Sequence, residues 1–139
     1  MQSITQELLN ELKSAPDIEA FFKAHENSFI NQSTADYLSD LIKIKEISIS
    51  DIAKNSGVGE YTYKVFEGIR KPSRDILIAI AFGMALSLEE MQLLLRISKF
   101  AILDSRDKRD SIIIYSITNG LTVFQADDLL YSQNFSTLN

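Results

Sequence analysis

Seven cations crowd one stretch of this chain: Lys43, Lys45, Lys54, Lys64, Arg70, Lys71 and Arg74, against only Glu46, Asp51, Glu60 and Glu67. Residues 43–74 thus carry a net charge of +3, while residues 1–42 carry −5 and residues 75–139 carry −3. The chemistry such a zone can do is to neutralise phosphates, because Lys and Arg side chains make those contacts and release counterions when they do. An unevenly charged, solvated surface gives the same pattern, and charge alone does not separate the two.

Other chemistry is thinly represented. His25 is the only histidine and has no recognisable partner for a triad, so it reads as a solvated surface residue. Gly57-Val58-Gly59 lacks the further glycines and the lysine of a phosphate-cradling loop. Glu89-Glu90 and Asp127-Asp128 are expected in first helical turns, where the helix dipole alone accounts for them. The run "DSRDKRD", residues 104–110, reads as a solvated helix start with Arg106 and Asp110 one turn apart, or as a partner surface. There is no cysteine, which excludes a disulfide scaffold and cysteine-ligated zinc and fits a reducing compartment. No metal, cofactor or catalytic activity is expected. The N-terminus lacks a basic-then-apolar signal pattern, and no apolar run approaches the roughly 20 residues that span a bilayer. These features suit a cytoplasmic protein without a membrane partner.

The elements that must position the cations are helical throughout. Ile4, Leu8, Leu9 and Leu12 recur at helical spacing; Pro16 interrupts, and Asp17 can open a second helix through Ile18, Phe21 and Phe22. The polar stretch "NSFINQSTADY" marks a boundary. Beyond it, Thr34 can cap a helix through Tyr37, Leu38, Leu41, Ile42 and Lys45. Ser48 can cap the next, with Asp51 reaching back as a capping box; it buries Ile52 and Ala53 and stops at Asn55-Ser56-Gly57. The small Ala53 would let two helices cross closely. Val58 anchors the turn, Tyr63 and Phe66 share the buried face of the following helix, and Gly68 ends it.

Ser73 can cap a helix through Ile76, Leu77, Ile80 and Ala81. Ser87 with Glu90 forms a capping box, Asp104 or Ser105 can start another helix, Asn119-Gly120 is a stop, and Thr122 with Gln125 forms a second box. No two-residue alternation bounded by hairpin turns is evident, so the chain reads as all-α. Its expected organisation is an N-terminal extension (1–33), a central domain (34–103) and a C-terminal helical hairpin (104–139).

The central segment resembles the helix-turn-helix of lambda-repressor-like DNA-binding domains of the Cro/repressor (Xre) type. The resemblance lies in the order Ile47-Ser48, Ile52-Ala53, Gly57-Val58, Gly68-Ile69-Arg70, Pro72-Ser73 and Leu86-Ser87-Leu88-Glu89-Glu90-Met91, and covers about residues 36–98. It implies a five-helix core, to which the flanking segments add helical extensions at both ends, and a bacterial or phage-type, sequence-specific transcriptional regulator. The helix around residues 59–68 would enter the major groove, offering Glu60, Tyr61, Thr62 and Lys64 to base edges. Arg70, Lys71 and Arg74 would hold the phosphate backbone, as would the Ser48 amide at its helix N-terminus. Tyr61 reads equally as a core aromatic. The flanking helices either pack on the core or serve a homodimer or protein partner. The alternative function is a protein-interaction module, an adaptor or antitoxin-like partner that keeps the fold without strong DNA affinity.

Overall fold

The computed structural model describes residues 4–24 and 32–139; His25 and the first half of the polar stretch, 27–31, lie outside the described residues. Every regular element among those residues is an α-helix. The chain divides into two compact units, Met1–Asn31 and Gln32–Asn139. The first unit holds α1 (Ile4–Ser14) and α2 (Ile18–Ala24), separated by Pro16; Asp17 Oδ1 accepts the Ala20 N–H at 2.7 Å and opens α2.

The second unit contains α3 (Thr34–Lys45), α4 (Ile49–Ser56), α5 (Tyr61–Phe66), α6 (Arg74–Gly83), α7 (Leu88–Ile97), α8 (Lys108–Thr118) and α9 (Val123–Ser132). Its centre is α6, whose Leu77, Ile78, Ala79, Ile80 and Ala81 are all fully buried. Only a helix surrounded on every side can be apolar all round, and α4, α7 and α9 pack on it. Burying each Leu or Ile there contributes roughly 1.5–3 kcal/mol over leaving it exposed. One core runs from Leu38 of α3 to Leu130 of α9, so the C-terminal hairpin belongs to the same unit as the central helices.

Ala53 is buried, but the tight approach between α4 and α6 lies at Gly83. A Cβ there would stand 2.9 Å from the Ile52 carbonyl oxygen and from Ser56 N and Cβ, so only glycine lets the two backbones meet.

Six helices of this unit end alike. Glu46, Gly68, Ala85, Lys99, Gly120 and Asn134 adopt φ of 53° to 75°. The N–H of the next residue (Ile47, Ile69, Leu86, Phe100, Leu121 or Phe135) donates five residues back, to the carbonyl of Ile42, Lys64, Ala81, Leu95, Ser116 or Leu130. This is the Schellman arrangement, in which an apolar residue after the left-handed one docks against the helix end. Five of the six apolar residues are at least partly buried, whereas Ile69 is 65% exposed.

The capping expectations hold at Ser73, at Ser87 with Glu90 and at Thr122 with Gln125, where both boxes close reciprocally. Others shift. The cap of α3 is Ser33, which accepts the Asp36 N–H, while the Thr34 hydroxyl lies 2.7 Å from Ser98 Oγ. At α4, Ser48 Oγ accepts the Asp51 N–H at 3.1 Å without a return bond, since the aspartate is one methylene shorter than the glutamate of a full box. The α8 cap is Asp107, not Asp104 or Ser105. Arg106 pairs with Asp104 instead of Asp110. Asp127 is no first-turn residue: its carboxylate accepts the N–H groups of Leu138 (2.7 Å) and Asn139 (3.3 Å), and Asn139 Nδ2 donates to Ser56 O at 3.0 Å.

Candidate functional site

Helices α4 and α5 are joined by four residues, 57–60, of which Gly57 and Gly59 have φ of 75° and 71°. Ser56 Oγ accepts the Val58 N–H at 3.2 Å, and the Gly59 N–H donates to Ala53 O at 3.1 Å, so the turn folds back on the end of α4. Helix α5 opens with three-residue bonds, Thr62 N–H to Gly59 O and Tyr63 N–H to Glu60 O. Residues 60 and 67 flank it in right-handed helical conformation.

Burial divides α5 into two faces. Thr62, Val65 and Phe66 are buried, at the i, i+3, i+4 spacing of an inward stripe. Glu60, Tyr63, Lys64 and Glu67 are exposed and share one outward arc of about 100° at 3.6 residues per turn. The expectation that Tyr63 packs inward with Phe66 is therefore corrected: Tyr63 is 41% exposed and Val65 takes the inward place. Thr62 is fully buried and its hydroxyl has no hydrogen-bond partner, so it presents nothing to a groove. Tyr61 is half-buried against the core.

The loop after α5 keeps its cations outward. The Ile69 and Arg70 N–H groups both donate to Lys64 O (3.0 and 3.4 Å), folding the loop over the end of α5 and bringing Arg70 to the same end as Lys64. Pro72 is buried, and Ser73 accepts the Ile76 N–H to start α6. Arg70 and Lys71 stand exposed between these anchors, next to Ile69.

Arg74 behaves differently. Its Nη1 and Nη2 donate to both oxygens of Asp110 (3.2 and 3.0 Å), Nε donates to Ala101 O (2.9 Å) and Nη2 to Ile102 O (3.4 Å). A guanidinium spent this way holds α8 and the preceding loop on α6, with four of its five N–H donors committed inside the protein. Arg109 and Asp75 form a reciprocal pair beside it at 3.0 Å. Lys45 is also engaged, 3.1 Å from Glu90. Burial pushes the Glu90 carboxyl up, but the Ser87 N–H and Lys45 outweigh it and hold the group below its ordinary value. Tyr37 donates to Glu90 O at 3.4 Å, and its phenol is pushed up by burial and then by the Glu90 charge.

Of the seven clustered cations, Lys43, Lys54, Lys64, Arg70 and Lys71 remain exposed without an ion pair among the described residues. Ser48 is exposed, with its hydroxyl committed to the α4 cap. A cavity of about 410 Å³ is lined by Asn55, Phe82, Leu86, Ile117, Leu121 and Phe124 among others, with no ionisable side chain. Among the described residues no cluster of three or more His, Asp or Glu side chains could hold a metal, and no helix is long and apolar enough to cross a membrane. No family model, no curated protein and no solved structure matches the chain.

Proposed function

We propose that this chain is a non-enzymatic, DNA-binding transcriptional regulator in which α4, the glycine turn and α5 act as a helix-turn-helix within a core of α3 to α7. The observation that carries this reading is one continuous exposed surface. The outward arc of α5 passes directly into a loop whose Arg70 and Lys71 side chains have no ion pair among the described residues, and of the six apolar residues that follow left-handed helix ends only Ile69 is exposed. In such a motif the second helix lies in the major groove and the flanking loop grips the backbone. Glu60, Tyr63, Lys64 and Glu67 are then the groove residues, with Tyr63 replacing Thr62, and Arg70 and Lys71 hold phosphates. Regulators of this kind act on paired half-sites, so the acting species is proposed to be a homodimer.

The test is affinity for random duplex DNA across a salt series. Binding should weaken linearly in log–log form, and Arg70→Ala or Lys71→Ala should each shallow the slope by about 0.9. Absence of binding at low salt sinks the proposal. A second reading, the adaptor or antitoxin-like module, draws support from Glu60 and Glu67, two unpaired carboxylates on the same arc. A protein partner with basic side chains would welcome them, whereas phosphates would not.

A further inference from the structure

We infer that α5 selects G·C base pairs, with Glu60 and Glu67 choosing cytosine and Lys64 choosing guanine; the inference rests on the DNA-binding reading above. The outward arc of α5 holds only Glu60, Tyr63, Lys64 and Glu67, since Thr62, Val65 and Phe66 face the core. Neither carboxylate has an ion pair or hydrogen-bond partner among the described residues, and Glu60 makes no capping bond to its own helix. Two exposed acids beside a phosphate lattice cost affinity, so on the DNA-binding reading their contribution is discrimination.

The major groove decides what they discriminate. An ionised carboxylate only accepts hydrogen bonds, so it is repelled by guanine N7 and O6 and by thymine O4. Adenine sets an N7 acceptor beside its N6 amino group, a pair that suits an amide better than a carboxylate. Cytosine offers the N4 amino group, beside guanine O6 on one side but only a C–H on the other, and is the base a glutamate matches. Lys64 only donates, and guanine O6 and N7 accept. Both ends of the run from 60 to 67 are helical, so the two glutamates stand about 10 Å apart along the helix axis, too far apart to meet the same base pair. The arc therefore fits C·G pairs, with cytosine facing each glutamate and guanine facing Lys64.

The experiment is selection from a duplex pool with a randomised centre, using the full chain and its Glu60→Gln variant. Circular dichroism first checks that the exposed substitution leaves the fold unchanged. The wild type should enrich duplexes with C·G pairs at the positions α5 contacts, and replacing one of those pairs by A·T should lower affinity about ten- to a hundred-fold. Glu60→Gln should move one position from cytosine to adenine, because an amide accepts from the N6 amino group and donates to N7. An A·T-only motif, or an unchanged preference in Glu60→Gln, overturns the assignment while leaving DNA binding standing. Failure to bind the unselected pool at low salt removes the DNA reading and this assignment with it.

Discussion

Replacing Arg74 by Ala should cost about 3 kcal/mol of folding stability and leave the salt slope of DNA binding unchanged. Asp110 is only 7% exposed, and Arg74 supplies two of the hydrogen bonds to its carboxylate, the Asp104 N–H at 3.1 Å being a third. Removing one member of a buried pair costs about 3–5 kcal/mol, because the other charge stays buried without its partner. The Arg74 side chain is 23% exposed, so solvent screens part of that loss and the lower end applies. Against a total stability of about 5–15 kcal/mol, such a loss should lower the melting temperature by about 10 °C.

Urea unfolding followed by circular dichroism measures the first quantity, and DNA titrations at several salt concentrations measure the second. Arg70→Ala is the counterpart: it should leave stability within about 0.5 kcal/mol and shallow the slope. A cycle with Asp110→Asn should show coupling of at least about 1 kcal/mol between positions 74 and 110. If Arg74→Ala kept its stability but lost a counterion's worth of slope, the guanidinium would be on a phosphate and the clasp would be refuted.

Three further outcomes follow from the packing. Thr62→Val removes a buried hydroxyl without a partner at nearly constant shape, and should raise stability by about 1 kcal/mol at an unchanged urea m-value. A destabilised variant would show that the hydroxyl is bonded. Gly83→Ala forces a methyl against the α4 backbone and should cost at least about 1–3 kcal/mol, with faster amide exchange in α4; normal stability would deny the close crossing. Glu90 is held below its ordinary value of about 4.3, so it adds stability above that pH and loses it as pH falls through the lower folded value. Glu90→Gln should therefore flatten the acid limb of the stability–pH curve, and an identical limb would contradict the Lys45–Glu90 contact.

Much of the local structure can be read along the chain because its causes are a few residues apart. Ser73, the Ser87–Glu90 box and the Thr122–Gln125 box announce their helices, since a cap involves residues three positions apart. The left-handed ends at Glu46, Lys99 and Asn134 carry no glycine to mark them. Their signal is the apolar residue that follows, Ile47, Phe100 or Phe135, and that residue acts only through where it docks. The two faces of α5 were within reach of spacing as well: 62, 65 and 66 form the buried triplet, whereas Tyr63 with Phe66 suggested a different one.

Composition and order by themselves determined that this chain is helical, where most helices begin and stop, and that its cations gather between residues 43 and 74. Which cations are free was decided only in three dimensions. Arg74 meets Asp110 across 36 positions, Lys45 meets Glu90 across 45, and the Arg70 and Lys71 side chains have no ion pair among the described residues. An ion pair depends on separation in space, and that separation is set by how α6 is buried among its neighbours. No run of neighbouring residues contains it.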